Sequence, residues 1–238
     1  MLELYGDKIG ERPSFAASPL GGQDVELADY LLAGIGRYCL VEFKADEDSL
    51  PSEKRKALRL ALCKSMQTNS ATLARAESIH FVGWGEERAE ENLPEYLDGE
   101  ISLGASLAPY PGRICPLLGF NLPPAVFNAM TDKAFIDGFL VSELLGADAE
   151  RFETYVDELY AIAGDTDKDG KAGFQGTVYV YIPPSTDRMP DWRPFKFTGI
   201  EHLFRLTKER GMTHKAEKEK QKERSRDKEN ERDRGMSF

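Results

Sequence analysis

Residues 28–46 read ADYLLAGIGRYCLVEFKAD, and this stretch predicts two neighbouring strands. Two largely apolar segments, 25–33 and 37–44, are separated by the three residues Gly-Ile-Gly at 34–36. A short link that carries glycine suits the turn of a hairpin. We therefore expect an antiparallel pair of strands here.

Three of the charged side chains in this largely apolar hairpin are candidates for chemistry: Asp29, Glu42 and Lys44. Because side chains alternate along a strand, Glu42 and Lys44 share one face, and Asp29 reaches that face if the register allows it. Carboxylates are ligands for hard divalent metals, which activate water for phosphodiester hydrolysis. The hairpin therefore predicts a metal-dependent phosphodiesterase site, in which Lys44 orients the water or stabilises charge.

A helix and a third strand are predicted after the hairpin. Ser52 is the expected N-cap, and apolar residues follow at helical spacing as far as Met66. Residues 78–84, SIHFVGW, are expected to form a strand, and 85–98 an acidic loop. The predicted order is hairpin, helix, strand. The start of the helix carries a dense basic cluster, formed by Lys54, Arg55, Lys56 and Arg59.

Asp29, twelve intervening residues and then Glu42-Phe43-Lys44 resemble the D…(D/E)-x-K signature of the PD-(D/E)xK nuclease superfamily. The resemblance covers about the first third of the chain. It implies a restriction-endonuclease-like α/β (α+β) core, with a mixed central sheet flanked by helices. It also implies that Asp29 and Glu42 bind Mg²⁺ or Mn²⁺, that the Phe43 carbonyl lies near the metal, and that Lys44 is catalytic. Ala28 stands where the name of the motif has a proline.

Further acidic and polar residues are secondary candidates by the same resemblance. Relatives often place an acidic residue on an N-terminal helix, where Glu11 or Glu3 could serve. They also often carry polar residues on the helix after the E-x-K strand, where Glu53 and Lys56 lie here.

The later part of the chain is predicted as an α+β extension. We expect domains at 1–99 for the nuclease-like core, 100–211 for the extension and 212–238 for a charged tail, helical or disordered. Within the extension we expect helices at 131–145 and 148–163, a strand at 176–183 and a helix after Thr198. Residues 100–130, broken by prolines, and the lead-in at 7–23 are assigned no regular structure.

The distribution of charge bears on nucleic-acid binding. The chain of 238 residues has a formal net charge of -10, and 11 of its 31 basic and 8 of its 41 acidic residues lie between 208 and 234. This leaves 20 basic and 33 acidic residues elsewhere. An acidic globular part argues against tight nonspecific DNA binding by the isolated chain, because phosphate contacts require Lys and Arg.

Several other residues are interpreted as structural. Three cysteines with no paired spacing predict small core residues rather than a disulfide framework or a metal site, and His80 is expected to be buried and hydrogen-bonded. Residues 165–170 match half of a calcium loop but are expected to form a simple loop. The cysteines are Cys39, Cys63 and Cys115. Trp84, Trp192, Tyr179 and Tyr181 could stack on bases, but Tyr179 and Tyr181 alternate with apolar residues and are expected to line a packed sheet.

The residues predict a cytoplasmic protein with a metal-dependent phosphodiesterase site, and the resemblance implies a DNA endonuclease, in a setting such as genome defence or repair. No membrane association is expected, and a homodimer or a protein partner bound through the charged tail could supply DNA affinity. One alternative is a catalytically inactive nuclease-like fold that acts as a protein-interaction module. Another is an adaptor without nuclease ancestry, in which Glu42 and Lys44 pair on a sheet surface.

Overall fold

The computed structural model describes residues 15–19, 28–34, 36–89, 101–122, 128–163, 175–182 and 191–207. Eight strands within these ranges form one sheet with the order β6-β5-β4-β3-β2-β1-β7-β8. Only the β3–β4 pair is parallel; the other neighbours in this sheet are antiparallel. The strands are β1 Phe15–Pro19, β2 Tyr30–Gly34, β3 Arg37–Lys44, β4 His80–Ala89, β5 Ile101–Pro109, β6 Met130–Thr131, β7 Gln175–Ile182 and β8 Asp191–Thr198.

Helices connect these strands and flank the sheet. The parallel β3–β4 pair requires a crossover, because the end of one strand is distant from the start of the next. A 3₁₀ helix at Glu47–Arg55, α1 at Ala57–Thr68 and α2 at Ser70–Ile79 form this crossover. The other helices are α3 Tyr110–Ile114, a 3₁₀ turn at Pro116–Leu118, α4 Asp132–Ile136, a π-helix at Asp137–Val141, α5 Ala149–Ala163 and α6 at residues 200–207.

The predicted hairpin is confirmed. Strands β2 and β3 pair antiparallel, with Tyr30 opposite Val41 and Gly34 opposite Arg37. Gly36 turns the chain with a φ of 77°, a left-handed conformation that glycine adopts without steric cost. The first strand is shorter than predicted, since it begins at Tyr30, and residues 25–27 lie outside the described ranges.

The two faces of the sheet bury separate apolar clusters. On one face, Leu40 of β3 and Val82 of β4 belong to a large core that α1, α2 and α5 cover. On the other face, Val41 and Phe81 pack against α4 and the π-helix. The parallel register sets Leu40 beside His80, and it sets Glu42 beside Val82. Glu42 and Lys44 therefore point toward the helix-covered core rather than toward solvent.

The prediction for residues 67–98 needs correction. Strand β4 starts at His80 and runs to Ala89, so the expected loop at 85–98 begins in a strand. Residues 70–79 form a further helix, α2, which the predicted order lacks. Asn69 caps it, because the Asn69 side chain accepts hydrogen bonds from the Ala71 and Thr72 N–H groups. Leu73, Ala76 and Ile79 recur at helical spacing on its buried face.

Other elements agree with the prediction in part. Helix α5 and strand β7 are confirmed, and Asp148 caps α5 by accepting a hydrogen bond from the Arg151 N–H at 2.9 Å. The predicted helix at 131–145 is divided into α4 and the π-helix and ends by Val141. Strands β1, β5 and β8 were not predicted. Each pairs antiparallel with a strand next to it in sequence, β1 with β2, β5 with β4 and β8 with β7. The connections are 8 to 11 residues long, so the short turn signal that identifies a tight hairpin does not apply to them.

The cysteine prediction is wrong for two of the three residues. Cys63 of α1 and Cys115, which follows α3, form a disulfide with their Cα atoms 5.4 Å apart. The residues are 52 positions apart in sequence, so helix packing brings them together and their spacing gives no indication of it. Cys39 is a buried free thiol, as expected of a small core residue.

The packing prediction for Tyr179 is wrong. Its side chain is exposed because β7 lies near the sheet edge, whereas Trp84 of β4 is buried. The side chains of Tyr181 and Trp192 lie outside the description, as do Glu3, Glu11, residues 165–170 and the tail 212–238. Within the described ranges, no helix has the length and apolar character needed to cross a membrane.

Candidate active site

The register of the hairpin brings Asp29 next to the E-x-K segment. Because Tyr30 lies opposite Val41, the next position places Asp29 opposite Glu42, and directly opposed residues share a face of the sheet. The Asp29 Oδ2 atom accepts a hydrogen bond from the Phe43 N–H at 2.6 Å. This contact fixes the Asp29 carboxylate at the start of β2, beside the end of β3.

The backbone of Phe43 faces the Asp29 carboxylate. In an antiparallel pair, the N–H and C=O groups of a residue leave the strand on the same edge, so the Phe43 carbonyl also points toward the side occupied by Asp29. The Phe43 ring lies on the opposite face of the sheet and is partly exposed, with its centroid 5.5 Å from that of Tyr30 in an edge-to-face contact. Only the backbone of Phe43 therefore belongs to the candidate site.

Glu42 is completely buried and is surrounded by cations. Its Oε1 atom accepts a hydrogen bond from Lys44 Nζ at 2.7 Å and a second one from Lys56 Nζ. Its Oε2 atom accepts a hydrogen bond from Arg59 Nη2 at 3.1 Å. A buried carboxylate requires such compensation, because its desolvation is costly.

Glu53 is the second buried carboxylate and binds the same three cations. Its Oε1 atom lies 2.8 Å from Lys44 Nζ and 3.2 Å from Lys56 Nζ, and its Oε2 atom lies 3.2 Å from Arg59 Nε. The Tyr110 hydroxyl donates a further hydrogen bond to Oε2 at 2.9 Å. The five charged residues form a charge cluster with a formal charge of +1: Glu42, Glu53, Lys44, Lys56 and Arg59.

The charge cluster shifts the pKa values of its members. Burial raises the pKa of Glu53, but the hydrogen bond from Lys44 and the charges of Arg59, Lys44 and Lys56 outweigh it and lower that pKa to about 2. Burial lowers the pKa of Lys44, yet the hydrogen bonds and charges of Glu42 and Glu53 raise it above its ordinary value. Glu53 and Lys44 are therefore both charged at neutral pH.

His80 lies behind the charge cluster and is buried and hydrogen-bonded, as predicted. Its Nδ1 atom lies 2.9 Å from the Tyr155 hydroxyl, and its ring stacks on Tyr110 with centroids 4.4 Å apart. Burial and the nearby charge of Arg59 lower the pKa of His80 well below its ordinary value. The imidazole is therefore neutral and acts as a packing partner of Tyr110.

The elements that carry the charge cluster differ from the single predicted helix. Ser52 is not an N-cap but lies inside the 3₁₀ helix, which Asp46 caps by accepting a hydrogen bond from the Ser49 N–H at 2.8 Å. Glu53 lies on this 3₁₀ helix, Lys56 lies at its junction with α1, and Arg59 lies on α1. All three side chains contact residues of β3: Glu53 contacts Lys44, and Lys56 and Arg59 contact Glu42.

Sequence reasoning gave no role to Arg59 or Tyr110. Arg59 could have been found, because Glu53, Lys56 and Arg59 recur every three residues and so share one side of a helical segment. Tyr110 follows β5 and precedes a proline, a context that carries no signal for a contact with Glu53. Arg59 and Tyr110 both contact the Glu53 carboxylate.

Comparison with protein-family models, curated proteins and solved structures finds no match to this chain. The geometry of the hairpin and the charge cluster is therefore the basis for assigning a function.

The donor atoms next to Asp29 suit a hard divalent cation. The Asp29 and Glu42 carboxylates and the Phe43 carbonyl are oxygen ligands of the kind that Mg²⁺ and Mn²⁺ prefer. Among the described residues, no group of three or more His, Cys, Asp or Glu side chains is arranged to hold a metal ion. Glu42 is already engaged by three cations, so a metal fits this site if it replaces one of them.

Proposed function

We propose that this protein is a divalent-metal-dependent nuclease of the restriction-endonuclease-like type, which hydrolyses phosphodiester bonds in DNA. The observation that carries the proposal is the contact of the Asp29 carboxylate with the backbone of the Glu42-Phe43-Lys44 segment, at 2.6 Å from the Phe43 nitrogen. The order of hairpin, crossover helices and parallel strand supports it. Genome defence or repair is the setting that the family resemblance implies.

The burial of Glu42 also supports an active-site role. On the solvent-exposed face of an antiparallel sheet, an E-x-K pair would be an ordinary surface feature. Here Glu42 is fully buried and the Lys44 side chain is 12% exposed, so the pair is not displayed on a sheet surface. This observation disfavours an adaptor in which Glu42 and Lys44 pair on a solvated face.

The roles of the site residues follow from their positions. Asp29, Glu42 and the Phe43 carbonyl would hold the Mg²⁺ or Mn²⁺, which lowers the pKa of a bound water and polarises the phosphate. Lys44 presents an ammonium group 2.7 Å from Glu42, from which it can donate hydrogen bonds to a water or to a phosphate oxygen. Glu53 would act as a positioning residue, because it holds the same ammonium from the side of the 3₁₀ helix.

DNA would approach along the basic side of the 3₁₀ helix. Lys54 and Arg55 are exposed in its last turn, next to the charge cluster, and they can contact backbone phosphates. The chain as a whole is acidic, so we expect DNA affinity to be modest and to fall steeply with salt. A second copy of the chain, or a protein partner bound through the tail 212–238, would strengthen it.

The direct test is cleavage of supercoiled, linear and single-stranded DNA in Mg²⁺ or Mn²⁺. We expect the wild type to cleave, and Asp29→Asn, Glu42→Gln and Lys44→Met to lose at least about 100-fold in rate, as loss of a preorganised charged group typically causes. Asp48→Asn, which changes an exposed carboxylate of the same 3₁₀ helix, is the matched control and should cleave as the wild type does. Equal cleavage by all these proteins would mean contamination and would refute the proposal.

One observation favours a second candidate, a catalytically inactive nuclease-like fold that acts as a protein-interaction module. Glu42 and Glu53 are both fully paired with Lys44, Lys56 and Arg59, which is the arrangement expected of a structural ion cluster. In that case, no DNA substrate would be cleaved by the wild type, and Glu42→Gln would impair folding without affecting any activity.

A further inference from the structure

We propose that Lys56 is the exchangeable cation of the site: it neutralises Glu42 in the metal-free protein and leaves when a divalent cation binds. The inference rests on the metal site of the proposed function. It concerns a residue of this chain, and it is tested by metal binding rather than by cleavage.

Glu42 Oε1 holds two ammonium groups where one would compensate it. Lys44 Nζ and Lys56 Nζ both bind this single oxygen atom, while Arg59 occupies Oε2. Glu53 Oε1 likewise lies near both lysines. The charge cluster has a surplus of one positive charge, so the loss of one lysine still leaves each carboxylate with a cationic partner.

Exposure and chain position identify Lys56 as the lysine that can leave. The side chain of Lys56 is 27% exposed, whereas that of Lys44 is 12% exposed and that of Arg59 is completely buried. Arg59 is further held by Tyr110, whose ring centroid lies 5.6 Å from the guanidinium carbon. Lys44 is fixed on β3 next to Glu42. Lys56 lies in the extended junction after the 3₁₀ helix and reaches the site from its solvent side.

The surplus charge predicts weak metal binding by the free protein. A divalent cation that joined the charge cluster with Lys56 still in place would meet three positive side chains around two carboxylates. Since like charges repel strongly in a buried environment, the metal gains Glu42 as a ligand only when the Lys56 ammonium withdraws toward solvent. Lys56 and the metal therefore compete for Glu42 Oε1.

The test is titration of the full chain with Mn²⁺, monitored by the EPR signal of free Mn²⁺. We expect Lys56→Met to bind Mn²⁺ at least about tenfold more tightly than the wild type, since one competing charge is removed. Lys56→Arg keeps the charge and should bind as weakly as the wild type, and so should Lys64→Met, the control on the exposed side of α1. Adding Glu42→Gln to Lys56→Met should abolish the gain.

The outcomes separate this inference from the proposed function. Glu42-dependent Mn²⁺ binding that Lys56→Met leaves unchanged or weakens would overturn the role of Lys56 and retain the metal site. An absence of Glu42-dependent binding in both the wild type and Lys56→Met would overturn both proposals. Circular dichroism of each variant verifies that it is folded, and Lys56→Arg excludes a change due merely to altered packing at this position.

Discussion

Lys44 Nζ lies 2.7 Å from Glu42 Oε1 and 2.8 Å from Glu53 Oε1, so a single ammonium group joins a carboxylate on β3 to a carboxylate on the 3₁₀ helix. The position of Lys44 is therefore set both by β3 and by the 3₁₀ helix that follows it. A lysine held in this way keeps its charge and its direction, which are the properties that an electrostatic role in phosphodiester cleavage requires.

Replacement of Glu53 should destabilise the fold. Glu53→Gln removes one of two buried carboxylates and leaves three cations facing Glu42, so we expect the free energy of unfolding to fall by about 3 to 5 kcal/mol. Urea denaturation measures this change. Glu87→Gln, on the exposed face of β4, is the control and should change stability by less than about 0.5 kcal/mol. A similar small loss for Glu53→Gln would show that the carboxylate is not engaged as described.

Removal of the Tyr110 hydroxyl should have a smaller effect on stability. Tyr110→Phe deletes the hydrogen bond to Glu53 Oε2 and retains the ring that stacks on His80. We expect a loss of about 1.5 to 3 kcal/mol, the range for hydrogen bonds to charged groups.

A double-mutant cycle provides the check on this prediction. In the Glu53→Gln background, Tyr110→Phe should cost less, because the charged acceptor is already absent. Additive losses would argue against the contact. Tyr179→Phe, at an exposed ring of β7, should leave stability nearly unchanged.

The sequence predicts the centre of the fold better than its edges. The alternation in residues 37–44 and the glycine turn identify β2 and β3, because these signals are local. Strands β1 and β5 pair with β2 and β4 across connections of 10 and 11 residues, so no short turn signal in the sequence identifies them. The missed helix α2 had a usable signal in Asn69 and the spacing of its apolar residues.

The sequence identifies candidate residues of the site but not the contacts among them. Strand periodicity places Glu42 and Lys44 on one face, and Asp29 joins them through an assumed register. Glu53 and Lys56 are candidates through the family resemblance alone. Their mutual pairing did not follow, because it depends on the break between the 3₁₀ helix and α1. Tyr110 is brought to Glu53 by tertiary packing across 57 positions of sequence, which no periodicity can reveal.

Stability should fall as the pH drops below about 6.5, the ordinary pKa of histidine. The pKa of His80 is lowered in the folded protein by burial, so the unfolded state binds a proton that the folded state does not. Protonation therefore favours unfolding, with a loss of up to about 1.4 kcal/mol per pH unit for this one proton.

Glu53 does not contribute between pH 6.5 and 5, because its lowered pKa removes stability only from its ordinary value near 4.5 down to about 2. Burial raises the pKa values of Glu77 and Asp157, so any protons that they gain above pH 5 favour the folded state and oppose the loss due to His80. Urea unfolding at several pH values measures the slope. His80→Gln should flatten the dependence of the free energy of unfolding on pH in this window. His202→Gln is the control at a position that is not fully buried, and it should retain the slope that His80 causes. An unchanged slope in His80→Gln would contradict a buried neutral imidazole.

The Cys63–Cys115 disulfide should stabilise the region that carries the charge cluster. Cys63 follows Arg59 by one helical turn on α1, and Cys115 lies just beyond α3, which begins at Tyr110. Closing a loop of 52 residues is worth about 4 kcal/mol by restriction of the unfolded chain. Reduction with dithiothreitol should therefore lower the melting temperature of the wild type, whereas a Cys63→Ala/Cys115→Ala variant should be insensitive to it. Thiol titration of the unfolded protein should find one free thiol, Cys39, before reduction and three after it; three thiols before reduction would rule out the disulfide.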